Sequence, residues 1–515
     1  MFFNRNKEVK LDIKNTEEVY NTSSVLGRRY TSIASAKNEL YKEHISYNPL
    51  DYISISKQFF GLDINTKKPL YLHYEDSTHM LLIHATRGGK GLVISHRCIE
   101  AIQKKQGLFY LDVKGEDFTP QILLEELEKQ NRAKSDLIIA SYPNNFGYSG
   151  FNSDDTYLEL ANKLTVALDL APTGDPKADY YRRNERTLLK QICKIFLNSQ
   201  KFLNVEFELN YKSLLNLINY LMNDLNNLQN YLKEQSKSKP NFDLLEQYSK
   251  RYFDTDLFSN IELNFDDIYT LKGLSQTIEE LTDANIFTKI NINDALYNNK
   301  IIYIRADQLD VASLKMLKIL QVDIIQKVKK KQANCLVIAD EVSFYATKTL
   351  ADSLSTIAGF GVRYLLAMQD LSQLSDESIK NPILSNCQTK LFGKQSDIFT
   401  LEYIEKISGK ELVTQMSKNE YSLTMRQTQE DYLNITRLRA LKRDRVAVLI
   451  AESLPSPVIT QTWHIEVKHK FDWKPYLSTN YKPKITKLSK QYTVKKDIDV
   501  QNVPTQTNIT QGIKV

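Results

Sequence analysis

The sequence predicts an α/β fold: a parallel-rich sheet flanked by helices, with an inserted all-α region and a flexible basic C-terminal tail. Three observations carry that expectation. Four short apolar runs, Met80–Ile83, Leu108–Asp112, Cys335–Asp340 and Tyr364–Met368, are each followed by polar or glycine residues, and Lys300–Ile304 is a fifth candidate. Continuous apolar runs of this length suit strands covered on both faces. Helical stretches lie between them, as crossovers between parallel strands require. The first run also leads directly into a turn rich in glycine and then an apolar-periodic helix beginning Leu92-Val93-Ile94.

At 515 residues the chain is too long for one ordinary core, and two to four domains are expected. Its 42% hydrophobic and 25% charged content excludes a mostly disordered or collagen-like chain. Lys and Arg number 68 against 62 Asp and Glu, a net of +6, but that charge is unevenly placed. Lys468–Val515 holds ten Lys and three Asp, leaving 58 basic against 59 acidic groups in the rest of the chain. The basicity belongs to the tail, a Lys- and Thr-rich segment punctuated by Pro475 and Pro483.

No apolar run approaches the 18 or so residues of a membrane-spanning helix, and the start lacks the pattern of a secretory signal. A cytoplasmic protein is expected. Cys98, Cys193, Cys335 and Cys387 are far apart, which suggests neither a disulfide framework nor a zinc knuckle; three sit in apolar surroundings, as buried thiols do.

From about Gly174 to Asp283 strand signals nearly vanish. Within Ser213–Lys233, Leu214, Ile218, Leu221, Leu225, Leu228 and Leu232 recur at spacings of three and four, which places them on one helix face. Packing inside a local helical region is favoured over a partner coiled coil, and Ser236–Asn241 reads as a loop.

The turn after the first strand is His84-Ala85-Thr86-Arg87-Gly88-Gly89-Lys90-Gly91. Strand, glycine turn with lysine, then helix is an arrangement that binds phosphate: backbone N–H groups face the anion and Lys90 adds a point charge. Against the usual G-x-x-x-x-G-K-[ST], Gly89 and Lys90 match. His84 replaces the first glycine, and Gly91 replaces the hydroxyl that would ligate Mg²⁺. The bulk of His84 predicts crowding of the loop. Asp340 and Glu341 end the strand starting at Cys335, where Asp340 can hold Mg²⁺ and Glu341 can orient and deprotonate a water. Gln369 follows the next strand, placed either to sense a γ-phosphate or simply exposed in a loop.

Two basic clusters invite a nucleic-acid reading. Lys327–Lys331 ends a helix, where a solvated last turn favoured by the macrodipole is preferred over phosphate contact. Tyr180-Tyr181-Arg182-Arg183-Asn184-Glu185-Arg186 mixes rings and guanidinium groups as single-strand binders do, yet it also begins a helix leading into the apolar Ile192–Phe196.

Several of these strings share a family likeness. His84–Gly91 resembles the G-P-T-R-S-G-K-G phosphate loop of TraG/TraD-type coupling proteins of type IV secretion and conjugation systems, in which glycine after the lysine is usual. Leu111-Asp112-Val113-Lys114-Gly115-Glu116 resembles the family's D-P-K-G-E signature. Leu366–Leu374 is similar to its strand plus Q-D-L-x-Q-L stretch, and Asn386-Cys387 through Tyr403-Ile404 to Gly409-Lys410 is similar to its later N-C…E-Y-I…G-K segment. Order and approximate spacing agree from about residue 75 to 465.

The resemblance implies a RecA-like P-loop ATPase that uses ATP and Mg²⁺ and assembles as a homohexamer around a channel. Its parts would be an N-terminal extension (1–50), a first RecA-like segment (51–173), the all-α insertion (174–285), a second RecA-like segment (286–467) and the tail (468–515). Thr86, Arg87, Gly88, Gly89, Lys90 and Gly91 would bind nucleotide, Asp340 the metal, and Glu341 and Gln369 would act in hydrolysis; Asp112 and Glu116 would lie nearby. Implied partners are a relaxase and relaxosome components, single-stranded DNA and the channel ATPases. Protein effectors are an alternative cargo, and a nucleotide-binding adaptor without hydrolysis is another alternative. Family members usually carry N-terminal membrane helices, so a separate membrane-anchoring protein would recruit this chain to the inner face of the membrane. Ala358-Gly359-Phe360-Gly361 occupies the place of a family arginine, leaving Arg363 or an unassigned Arg to act between subunits.

Overall fold

A computed structural model describes residues 45–142, 148–203, 209–238, 267–283, 290–418 and 423–477, except 452, 455, 463, 464 and 466. Most of the N-terminal extension and most of the basic tail therefore lie outside the described residues. The chain forms two compact units: one from 1–139, 293–305 and 327–472, the other from 140–292, 306–326 and 473–515.

The strands are β1 (Lys57–Asp63), β2 (Pro69–His73), β3 (Met80–Ile83), β4 (Gly107–Asp112), β5 (Leu137–Ser141), β6 (Ile301–Arg305), β7 (Cys335–Ala339), β8 (Val362–Met368), β9 (Thr389–Phe392), β10 (Lys410–Lys418), β11 (Leu423–Asp431), β12 (Arg445–Ile450) and β13 (Val458–Gln461). Eleven form one sheet in the order β2-β1-β13-β12-β9-β3-β8-β7-β4-β6-β5, while β10 and β11 form a separate antiparallel ribbon. All five strands expected from apolar runs are present, as β3, β4, β6, β7 and β8. They pair in parallel as β3-β8-β7-β4-β6, with Ile83 opposite Met368 and Leu111 opposite Ala339. Their carboxyl ends therefore line up on one edge, where open parallel sheets bind ligands. Met80–Ile83 are each at most 1% exposed, and each such side chain contributes about 1.5–3 kcal/mol by leaving water.

The sheet is parallel-rich but not uniform. β12 pairs antiparallel with β9 and β13, and β1 antiparallel with β13 and β2. β1–β2 and β12–β13 are joined by short turns and need no crossover, whereas β9–β12 and β1–β13 bring distant parts of the chain together. Helices α1 (Lys90–Gln103) and α2 (Phe118–Lys129) follow β3 and β4 in this unit and pack on each other. All four cysteines are buried and free.

The second unit contains α3 (Tyr157–Ala167), α4 (Pro176–Leu203), α5 (Tyr211–Ser238) and α6 (Asp267–Asp283). A reciprocal capping box starts α3: Thr156 Oγ1 accepts from Glu159 N at 3.2 Å and Thr156 N donates to Glu159 Oε2 at 2.9 Å. The stripe Leu214, Ile218, Leu221 and Leu225 is buried, and α5 packs on α6, whose Leu271, Leu274, Ile278 and Leu281 repeat the same spacing. The stripe is thus satisfied within the chain; the side chains of Leu228 and Leu232 lie outside the described residues. Ser236–Ser238 belong to α5 rather than to a loop, and 239–241 lie outside the described residues. Among the described residues no helix is long and apolar enough to cross a membrane.

Candidate functional site

The loop between β3 and α1 is held by backbone bonds from neighbouring strands. His84 N donates to Met368 O at 3.1 Å, Ala85 N to Lys394 O at 3.0 Å, and Gly88 N to Ala85 O at 2.9 Å. Gly89 caps α1 with φ 116°, and a Cβ there would stand 2.0 Å from Arg443 O, so only glycine fits. Thr86 and Arg87 are exposed beside it.

His84 does not crowd the loop as its size suggests. Its ring is fully buried beneath the turn, in space left by two glycines: a Cβ on Gly88 or on Gly393 would meet ring atoms at 2.0 Å. Burial, together with nearby Lys90, lowers its pKa to about 4, so the ring is neutral at pH 7.

Lys90, the first residue of α1, reaches the carboxyl ends of the sheet. Its Nζ lies 2.6 Å from Asp340 Oδ1 and also pairs with Glu341 Oε1. Burial alone would depress the Lys90 pKa, but the two carboxylates outweigh it and hold it above its ordinary value. Asp340 follows β7 directly and is anchored by its N–H to Leu111 O at 3.0 Å. Burial and the nearby Asp112 carboxylate raise its pKa against the opposing pull of Lys90. Glu341 is fully buried and sits in the left-handed region at φ 48°, uncommon for a residue with a side chain. Burial works to raise its pKa, yet Lys90 and Lys114 prevail and hold it below the usual carboxylate range.

Gln369, just beyond β8, donates from Nε2 to Glu341 Oε1 at 3.2 Å and accepts from Thr86 Oγ1 at 2.6 Å. The adjacency of β3, β8 and β7 brings these three loops together, so Gln369 is not a free loop residue. Asp112 organises the turn after β4: its carboxylate accepts from Lys114 N at 2.7 Å, from Glu116 N at 3.0 Å and from the Tyr303 hydroxyl. Glu116 Oε2 lies 3.8 Å from where a Cβ on Gly91 would stand. Burial and the neighbouring carboxylates of Asp112 and Asp340 raise the Glu116 pKa.

Arg363 is not brought to this group. It lies at the opposite end of β8, where its guanidinium donates to Ser77 O at 2.9 Å and Tyr74 O at 3.1 Å and stacks on the Tyr74 ring. Of the basic run at 327–331, Lys327 is buried, which departs from a wholly solvated turn, while Lys329, Lys330 and Lys331 are exposed. In α4, Tyr180 and Tyr181 are each 60% exposed, whereas Arg182 and Arg186 donate to the carbonyls of Ala171 and Leu170.

Sequence reasoning missed three participants. Lys114, paired with Glu341 Oε1, was visible only as a letter in the D-V-K-G-E string. Gly393 follows β9, which adjoins β3 in the sheet, and Arg443 precedes β12, which adjoins β9; both are more than 300 residues away in sequence, and no local signal pointed to either.

A family model described as the TraM recognition site of TraD and TraG matches residues 334–449, the stretch that includes Asp340, Glu341 and Gln369. Among solved structures, the unbound bacterial conjugative coupling protein TrwBΔN70 matches at TM-score 0.53 and 15% identity, over 78% of this chain and 88% of that one. Plasmid coupling protein TrwB in complex with ADP and Mg²⁺ matches at TM-score 0.51 and 16% identity, over 77% and 87%. The family match covers 334–449, and both likenesses agree with the TraG/TraD resemblance of the sequence motifs. Identities this low carry the fold, which for the TraG/TraD type is the RecA-like P-loop architecture seen here. No curated protein sequence matches the chain.

Proposed function

We propose that this chain is an ATP-driven coupling protein of a conjugation or type IV secretion system, delivering relaxase-bound single-stranded DNA to the transfer channel. The observation that carries the reading is Lys90, from the glycine turn, lying 2.6 Å from Asp340 and paired with Glu341 at the end of an adjoining strand. A glycine turn alone, or an acidic strand end alone, is common; their meeting on one sheet edge is the working layout of a P-loop ATPase.

In this reading Thr86–Gly91 and the N-terminus of α1 cradle the phosphates, and Lys90 turns from the carboxylates to the β- and γ-oxygens. Asp340 fits Mg²⁺: a hard carboxylate oxygen, buried, and already holding a cation at 2.6 Å. Among the described residues no cluster of three or more His, Cys, Asp or Glu is arranged as a metal cage. Phosphate oxygens and water would complete the shell, as is usual for this ion. Bound there, Mg²⁺ supplies charge neutralisation at the phosphates. Glu341 takes a proton from water as the water oxygen bonds to the γ-phosphorus. The bond to the β–γ bridging oxygen breaks, and its electron pair leaves with ADP. Gln369, hydrogen-bonded to Thr86 and Glu341, orients the water.

The match of 334–449 to a TraM recognition site supports docking of a relaxosome protein on this chain. A homohexamer, contact with the channel ATPases and recruitment to the membrane by a separate anchoring protein belong to the same proposal. The test is ATP hydrolysis with and without single-stranded or duplex DNA. Stimulation by DNA is the expected result. Hydrolysis indifferent to DNA but raised by a secreted protein would move the cargo to effectors, and nucleotide binding without turnover would leave an adaptor.

A further inference from the structure

We propose that Lys114 is a positioning residue for Glu341: when Lys90 turns to the phosphates, Lys114 retains Glu341 Oε1 and leaves Oε2 to receive the proton of the attacking water. The inference rests on the ATPase reading above and adds a residue to it.

Glu341 Oε1 receives three donors, Lys90 Nζ, Lys114 Nζ and Gln369 Nε2, while Oε2 is buried without a hydrogen-bond partner among the described residues. One oxygen is therefore held and the other is open. Lys90 cannot remain on Glu341 and serve the phosphates as well. Once it leaves, two adjacent carboxylates stand at the end of β7 with Lys114 as the remaining cation paired to one of them. An amide such as Gln369 fixes direction but brings no charge, so Lys114 is the cation that remains on Oε1.

Lys114 is well placed to stay. Its N–H is bound by Asp112 Oδ1 at 2.7 Å, and Asp112 is itself held by Tyr303 and by Glu116 N at 3.0 Å. The next residue, Gly115, has φ 70°, and a Cβ there would stand 2.4 Å from Arg305 Nε, which fixes the turn. The Lys114 side chain is 28% exposed, unlike the buried Lys90, so exchanging it leaves little unpaired in the core. The arrangement separates two tasks: Lys90 answers to nucleotide, and Lys114 to the general base.

The test compares Lys114→Gln and Lys114→Arg with the wild-type chain in steady-state ATP hydrolysis and in affinity for a fluorescent ATP analogue. Lys114→Gln is expected to lower kcat by about 10- to 100-fold with nucleotide affinity within about threefold of wild type, and Lys114→Arg should restore most of kcat. Unchanged kcat in Lys114→Gln overturns the proposal. So does a loss confined to affinity, which would make Lys114 a phosphate ligand. Failure of the wild-type chain to hydrolyse ATP sinks the ATPase reading separately. In that event a double-mutant cycle of Lys114→Gln and Glu341→Gln, read in unfolding with the analogue bound, still decides: coupling supports the retained contact, and additivity refutes it.

Discussion

Lys90 Nζ and Asp340 Oδ1 lie 2.6 Å apart, although 250 positions separate them in sequence. The parallel pairing of β3, β8 and β7 closes that gap, and the contact joins the glycine turn to the acidic strand end. Lys90→Met removes the cation and leaves Asp340 with a buried charge lacking its nearest partner. Nucleotide-free protein should lose about 2 kcal/mol in urea unfolding, and nucleotide affinity should fall by at least tenfold.

The two glycines that flank Lys90 should behave oppositely. Gly89→Ala forces a side chain into φ 116° and against Arg443 O, and should abolish nucleotide binding in a fluorescence titration. Gly91→Ser has room, with only Glu116 Oε2 near at 3.8 Å. It should retain binding and lower the Mg²⁺ concentration needed for half-maximal hydrolysis, because it adds the hydroxyl that the usual motif carries after its lysine.

His84 gives the loop a dependence on pH. A group whose folded pKa is depressed contributes stability above its unfolded value, and that contribution is lost as pH falls toward the folded value of about 4. Between pH 7 and 5 the wild-type chain should therefore lose about 2 kcal/mol more in unfolding free energy than His84→Gln. Chemical denaturation at the two pH values checks this.

The second unit has its own buried ion cluster. Lys163 Nζ lies 2.5 Å from Asp155 Oδ2 and 3.3 Å from Asp323 Oδ1, and Asp323 also accepts from Asn152 Nδ2 at 2.8 Å. Asp323→Ala leaves Lys163 its Asp155 partner but removes the more distant carboxylate and the acceptor of Asn152 Nδ2, and should cost about 1–3 kcal/mol in thermal or urea unfolding. Nucleotide affinity should be unchanged, since every residue proposed for the site belongs to the other unit.

What the sequence disclosed follows from where its signals are local. The five strands β3, β4, β6, β7 and β8 are buried along nearly their whole length, so each advertises itself as an apolar run. β1 is interrupted by Gly61 and a register shift, β9 opens Thr389-Lys390, and β13 ends Thr460-Gln461; mixed polarity hid them although all lie in the same sheet. The stripe on α5 was legible because its partner α6 carries the same period. Asp340, Glu341 and Gln369 stand just past strand ends and Lys90 opens α1, positions legible in the local pattern. Lys114 was not, because its importance lies in which oxygen it touches. The role of His84 was misjudged for a similar reason: the space that accepts its ring comes partly from Gly393, more than 300 residues away.

The most direct test is ATP turnover by the wild-type chain and by Glu341→Gln, with nucleotide affinity measured on both. Turnover by the wild type, a kcat on the order of 10²- to 10⁴-fold lower in Glu341→Gln, and affinities within about fivefold of each other are the predicted results. Equal turnover by the two proteins, or none by either, would contradict an ATPase centred on Lys90, Asp340 and Glu341.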